Sequence, residues 1–211
     1  MIDHRPAQTP VRNQGDRPTC AGFAISAAHE WLAADQELRS PEHAIWAGQQ
    51  IGSVPGREDT TIAWSLSGLD IHRHATEVAW PYGAPHWTQG PPAAVANQAN
   101  TRAMPPSHRL APPWFEAVRD TLAAGEPVIL TIAVVYSPWQ QPLPMIDAEP
   151  GRKTHGNHAV VAVAITDAGE DPEIALVKNS WGPGWGDQGY GGISRRYLES
   201  YTLAAHRLEV R

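Results

Sequence analysis

The chain has 211 residues, 42% of them hydrophobic, enough to bury one full core or two small lobes. Its 16 basic and 22 acidic side chains give a formal charge of −6, and with no Lys/Arg run this argues against a nucleic-acid surface. A single cysteine forbids an intramolecular disulfide, the longest apolar runs are too short to span a bilayer, and Met1–Pro6 has no apolar signal-peptide core, so a reducing compartment such as the cytoplasm is expected, with export by a dedicated system left open.

In chain order, residues 10–16 read as a short extended segment running into a turn. Residues 20–34 predict a helix, because Phe23, Ala27 and Trp31 recur on one stripe with Ala24, Ala28 and Leu32 beside it, and Thr19 stands as its N-cap. Ser40-Pro41-Glu42 opens a second helix to about Gln50, with serine as cap and proline at the first position. A third, shorter helix is expected over 60–69, followed by a turn at Trp80-Pro81-Tyr82-Gly83. Prolines cluster at 81–92, 105–113 and 138–150 and mark connections. Residues 113–124 read as a helix stopped by Gly125, after which 128–136, 158–165, 174–178 and 190–194 read as strands. Helices precede strands, with the change near residues 105–110. The order predicts an α+β fold in one unit, residues 1–211: a helical lobe over about 10–105 packed on a mostly antiparallel sheet or barrel over about 106–205. The cleft between the lobes is the natural place for a site.

The chemistry concentrates in Asn179-Ser180-Trp181-Gly182-Pro183-Gly184-Trp185-Gly186-Asp187-Gln188-Gly189-Tyr190, a glycine-punctuated turn with an amide beside two indoles. Upstream stand the lone Cys20 and, in an apolar strand, His158. A cysteine at a helix N-terminus meets the positive end of the helix dipole, which favours the nucleophilic thiolate. An imidazole can take and return a proton, and an asparagine oxygen can fix its tautomer, so His158 and Asn179 suit the roles of base and orienter. Gln14 lies six positions before Cys20 across a glycine turn, and its amide N–H beside the Cys20 backbone N–H suits the role of oxyanion donor.

These residues bring the chain close to a known family. Gln14-Gly15-Asp16-Arg17-Pro18-Thr19-Cys20 resembles the nucleophile segment of papain-like cysteine peptidases, Gly156-Asn157-His158-Ala159-Val160 the histidine strand, and Asn179-Ser180-Trp181-Gly182 with Trp185-Gly186 and Gly189-Tyr190 the asparagine loop. The Cys20–His158 separation falls in the range of about 130–150 positions known for the family. Further likeness lies at residues 37–41, 80–83, 125–128 and 189–197, in the family's order, and is greatest to bacterial members without disulfides or a prodomain. The resemblance implies a two-lobed fold with the cysteine on the helical lobe and the histidine on the barrel lobe. It implies peptide-bond hydrolysis through an acyl-enzyme on peptide or protein substrates, with Trp181 shielding the His158–Asn179 bond and Asn157 beside it. Ser67 and Gly68 stand in the region of the strand that binds substrate backbone. Two positions depart from the pattern: Arg17 and Ala21 replace a cysteine and a tryptophan. No inhibitory segment is recognised ahead of Gln14, so a separate regulatory protein is expected to supply latency.

Plainer readings compete with these. Taken alone, Cys20 is a small buried hydrophobe, His158 a satisfied core histidine and Asn179 ordinary turn chemistry. His155 with His158, and His72 with His74, invite a metal reading, but no cysteine or carboxylate cluster completes a zinc set, and neither metal nor cofactor is expected. Trp31, Trp46, Trp64, Trp80, Trp87 and Trp185 read as packing, and Arg195, Arg196 and Glu199 as a solvated face. Other acyl transfers through the same thioester, namely peptide ligation, cyclisation or amide hydrolysis, and a non-catalytic peptide-binding module remain as alternatives.

Overall fold

The apolar runs at β3 (Val128–Ala133) and β4 (Asn157–Ile165) pair with each other at the centre of a seven-stranded sheet whose named pairs are all antiparallel. The computed structural model describes residues 2–33, 35, 37–53, 57–83, 88–143, 145–166 and 173–210. Ahead of this centre lie β1 (Ile2–Asp3), a short 3-10 turn (Arg5–Ala7), and the helices α1 (Cys20–Leu32), α2 (Pro41–Ile51), α3 (Ile62–His72) and α4 (Ala93–Ala99). β2 (Ser107–Arg109) and α5 (Trp114–Ala123) lead into β3, and α6 (Tyr136–Gln140) connects towards β4. β5 (Ile174–Lys178), β6 (Tyr190–Ser194), α7 (Arg195–Tyr201) and β7 (Thr202–Leu208) complete the chain. The strand order is β2-β7-β3-β4-β5-β6, with β1 extending alongside β4. Among the described residues, no helix is long and apolar enough to cross a membrane.

The central strands are continuously apolar because both of their faces are covered. Val128, Leu130, Ile132, Val160 and Ala162 face a core shared with Phe115, Val118 and Leu122 of α5 and with Tyr197 and Leu198 of α7. Ile129, Ala159, Val161 and Val163 alternate with them and face Ala21, Ala24, Ile25 and Ala28 of α1. The helix α1 is therefore central. Every residue from Ala21 to Glu30 is buried, so the stripe expected from its spacing is widened to the whole circumference. Its small residues permit this: a Cβ on Gly22 would stand 2.6 Å from the Pro41 carbonyl oxygen.

Burial brings a charge inside, and the charge is paired. Glu30 Oε1 accepts from Arg12 Nη2 at 2.6 Å and from the Arg39 backbone N–H at 2.7 Å, while Oε2 accepts from Thr9 Oγ1 at 2.5 Å. Lys178 Nζ donates to the Thr9 carbonyl at 2.7 Å and to its hydroxyl at 3.1 Å, which joins β5 to α1 through the N-terminal segment. Burial lowers the Lys178 pKa to about 8.

Several expectations need correction. The strand predicted to run to Tyr136 stops at Ala133, opposite Asn157, the first residue of β4; α6 follows, with Pro138 in its first turn, where a missing N–H costs nothing. Ala34, the predicted end of the first helix, and Trp87 lie outside the described residues. Thr19 occupies the N-cap position of α1, but its hydroxyl makes no capping bond. Arg195, Arg196 and Glu199 do more than meet solvent. The Glu199 carboxylate caps α5 by accepting the N–H groups of Trp114 (2.9 Å) and Phe115 (2.6 Å), Arg195 pairs with Glu116 and Glu173, and Arg196 pairs with Asp147 and Glu149.

Candidate active site

Cys20 is the first residue of α1 and is half-buried at the edge of a cleft of about 670 Å³. The cleft is also lined by Gln14 from the preceding loop, by Asn157 and His158 from the start of β4, and by Trp181. The segment that leads into α3, with Arg57, Asp59, Thr60 and Thr61, together with Ile62 at the start of that helix, forms part of the wall on the helical side.

The hydrogen-bond network fixes the protonation of the histidine. Asn179 Oδ1 accepts the Ser180 backbone N–H at 2.7 Å, so that atom is the oxygen and not the amide nitrogen. The same oxygen lies 2.7 Å from His158 Nε2, which must then be the protonated ring nitrogen. Nδ1 is left with its lone pair for proton transfer. The imidazole is packed between two indoles, with centroids 4.6 Å from Trp181 and 5.6 Å from Trp139. His158 and Asn179 are 5% and 3% exposed, so their bond is kept from water. Burial pulls the His158 pKa down to about 4, against the opposing effect of the Asn179 bond.

Burial also pushes the Cys20 thiol up, while hydrogen bonding to the backbone of Ala159, Ala21 and Cys20 itself pulls it down. Desolvation is the largest influence on the thiol and acts against the helix-terminus effect that favoured the thiolate on sequence grounds. Each charge is disfavoured alone. A thiolate created by passing the proton to His158 would have the imidazolium as its counter-ion.

Gln14 is held by both of its polar atoms. Oε1 accepts from Ser180 Oγ at 2.7 Å, and Nε2 donates to the Arg17 carbonyl at 2.8 Å. The second Nε2 hydrogen has no acceptor among the described residues, in a side chain that lines the cleft. The loop carrying Gln14 is zipped onto the asparagine loop: Gln14 N–H donates to the Ser180 carbonyl at 2.8 Å and Gly182 N–H to the Arg12 carbonyl at 3.1 Å. Asn13 and Trp181 form an antiparallel bridge between these bonds. Gly182 has φ 81°, the left-handed region that glycine adopts without strain, and this explains part of the glycine pattern.

Where a cysteine was expected from the resemblance, Arg17 makes a fork-to-fork ion pair with the fully buried carboxylate of Glu42, at 2.8 and 2.9 Å, and reaches Glu58 at 3.0 Å. Its guanidinium lies 4.6 Å above the Tyr82 ring.

Ser67 and Gly68 are not in the cleft wall. Both lie inside α3, Ser67 exposed and Gly68 buried where α3 crosses α2, and the cleft instead meets Arg57, Asp59, Thr60 and Thr61, ahead of that helix, and Ile62, its first residue. Sequence reading missed Trp139, 1% exposed, because it sits among prolines that marked a connection. Trp139 Nε1 donates to the Tyr197 hydroxyl at 2.8 Å, and Trp185, read as packing, donates its Nε1 to the Trp139 carbonyl at 2.9 Å. Among the described residues, no three His, Cys, Asp or Glu side chains are grouped to hold a metal. His155 lies against Tyr136, His72 against Trp46, and His74 against His29.

The family model of papain family cysteine proteases matches residues 1–208. Cysteine proteinase B of Leishmania mexicana is 27% identical over 215 residues, covering 95% of this chain and 46% of its own length. Papain of Carica papaya is 27% identical over 207 residues, covering 93% of this chain and 54% of its own. The chain thus spans about half the length of the curated relatives it matches. Among solved structures, xylellain, a cysteine protease from Xylella fastidiosa, has a TM-score of 0.86 at 21% identity, covering 100% of this chain and 85% of that one. Digestive procathepsin L 3 of the Tenebrio molitor larval midgut has a TM-score of 0.73 at 21% identity, covering 99% and 69%. At that identity the two structures speak for the fold, a two-lobed α+β arrangement.

Proposed function

The chain belongs to the papain family of cysteine proteases, and from that premise we propose that it is a cysteine peptidase cleaving peptide bonds through a thioester acyl-enzyme. The observation that carries the reading is the meeting of Cys20, Gln14 and His158 on one cleft, with the His158 Nε2 proton committed to Asn179. The Cys20 sulfur attacks the scissile carbonyl carbon while its proton passes to His158 Nδ1. The carbonyl oxygen takes the negative charge and receives the free Nε2–H of Gln14 and the Cys20 backbone N–H. The imidazolium then returns its proton to the leaving amine as the C–N bond breaks and the thioester remains. Water, deprotonated by the same imidazole, adds to the thioester carbon, the C–S bond breaks, the Cys20 sulfur takes the proton back from the imidazolium, and the acid product departs. Asn179 orients the ring throughout, and Trp139 and Trp181 exclude water from its bond.

In this reading the stretches over about residues 10–105 and 106–205 act as the two lobes of a single catalytic unit, and the connection from Lys178 through Thr9, just ahead of the first lobe, to Glu30 supports their acting as one. A cytoplasmic location accords with the lone cysteine, which must stay reduced to act. The test is the mass of the intact protein after brief treatment with a thiol-directed epoxide, followed by turnover of unfolded casein. One adduct on Cys20, formed fast in the wild type and slowly in His158→Ala, with casein cleavage abolished in Cys20→Ala, is the expected result. Cleavage retained in Cys20→Ala overturns the mechanism, and no adduct with no cleavage turns the assignment to a binding module.

A further inference from the structure

The hydroxyl of Tyr82 stands between the two ends of the loop that carries the oxyanion donor and leads to the nucleophile. Its oxygen is 2.7 Å from the Gln14 carbonyl oxygen and 2.7 Å from Thr19 Oγ1. A carbonyl only accepts, so the phenol proton goes to Gln14, and the phenol oxygen in turn accepts the Thr19 hydroxyl proton. The chain of bonds runs from Thr19, fully buried and next to Cys20, through Tyr82 to Gln14. It also accounts for the N-cap threonine that makes no cap.

Half-buried, Tyr82 is itself held at its backbone, at the edge of its ring and at one face. Its backbone N–H donates to Glu77 Oε1 at 2.8 Å, its ring lies edge-on to Phe23 at 4.7 Å, and the Arg17 guanidinium covers the ring from a position fixed by Glu42 and Glu58. A group so fixed can set the distance between two others. Both oxyanion donors of the proposed site belong to the joined residues or their neighbour: Gln14, whose backbone the phenol holds, carries Nε2–H, and Cys20, which follows Thr19, supplies its N–H.

We propose that Tyr82 is a positioning residue for acyl transfer, its hydroxyl setting the spacing between Gln14 and Cys20 and so the geometry of the oxyanion site. The inference rests on the peptidase reading above. Tyr82→Phe keeps the ring, and with it the contacts to Arg17 and Phe23, and removes only the strap.

For Tyr82→Phe the expected result is a fall in kcat on a peptide amide of about 10- to 100-fold, the scale of a small misplacement of reacting groups, with KM within about twofold. Alkylation of Cys20 by iodoacetamide needs no oxyanion site and should stay within about twofold of the wild type. In a Gln14→Ala background, which itself should cost about 10²–10³ in rate, the further effect of Tyr82→Phe should shrink to under about twofold. A kcat equal to the wild type, or a loss that is undiminished in Gln14→Ala, overturns the proposal. Hydrogen exchange across residues 13–20 reads the strap without turnover. Faster exchange there in Tyr82→Phe supports it, and unchanged exchange sinks it even if the wild type cleaves nothing, a result that would count separately against the peptidase reading.

Discussion

At the level of single side chains, the behaviour of His158 follows from where its two nitrogens stand. One is bound to Asn179 and the other is free, while burial holds the ring neutral down to about pH 4 instead of the ordinary 6.5 or so. In the proposed mechanism His158 must be neutral to accept the Cys20 proton, and a ring held neutral in this way keeps accepting it at a pH where an exposed imidazole has stopped. The acid limb of kcat/KM should accordingly fall near pH 4–5, measured from initial rates with activity recovered on return to neutrality; a limb at pH 6.5 or above would refute the role of burial. The nucleophile is less straightforward. A helix N-terminus argues for a thiolate, and burial, which pushes the thiol up, argues against it, so that passing the proton to His158 is the route to the charged sulfur in the proposed mechanism. Sequence alone names the competitors here but carries no measure of how dry the site is.

Among the elements, the helical half is built on close approach. Gly68 of α3 lies against the backbone of α2, where an added Cβ would meet the Ala47 carbonyl oxygen at 2.1 Å and its carbon at 2.4 Å. Neither is the movable end of a side chain, so the helices must part. Gly68→Ala should cost about 1–3 kcal/mol in a urea melt, the range for overpacking a fixed core, and a neutral or stabilising result would show that α2 and α3 can slide. That glycine shows how the sequence misleads. Gly68 and Ser67 read as part of a substrate-binding strand, because a glycine in the right region does not say whether it admits a ligand or a neighbouring helix. The elements that were legible were α1, α2, α3, α5, β3, β4, β5 and β6, periodic stripes or apolar runs bounded by turn signals, along with the loop whose Asn179-Ser180-Trp181-Gly182 pattern carries its own chemistry. Those that were not, β1, β2, α4, α6, α7 and β7, are two or three residues long, sit in proline-rich stretches or follow directly on another element. Tyr82 and Trp139 escaped for a different reason: each acts through partners far along the chain, Gln14 and Thr19 for one, Tyr197 and His158 for the other.

Over the whole molecule, three buried histidines make the folded state sensitive to acid. His43 is held down to about 3, chiefly by burial, His74 is held well below its ordinary value by burial and by its histidine neighbours, and His158 lies at about 4. As the pH falls below about 6.5 the unfolded chain takes up protons that the folded chain refuses, so the part of the stability that these histidines control is level above that value and declines beneath it, towards pH 3–4. Each such histidine contributes a slope of about 1.4 kcal/mol per pH unit. The urea midpoint should drop steeply between pH 6.5 and 4.5, before most carboxylates titrate, and a flat response across that window would show that these rings are wetter than they look. The ion pair between Arg17 and Glu42 has a consequence of another kind. A thiol nucleophile has to be protected from oxidation, and the reductant that protects it attacks any disulfide used to brace the loop beside it. A bracing made of guanidinium and carboxylate has no stake in that chemistry. The protein can be held at any reducing potential that suits Cys20 without loosening the segment that aims it.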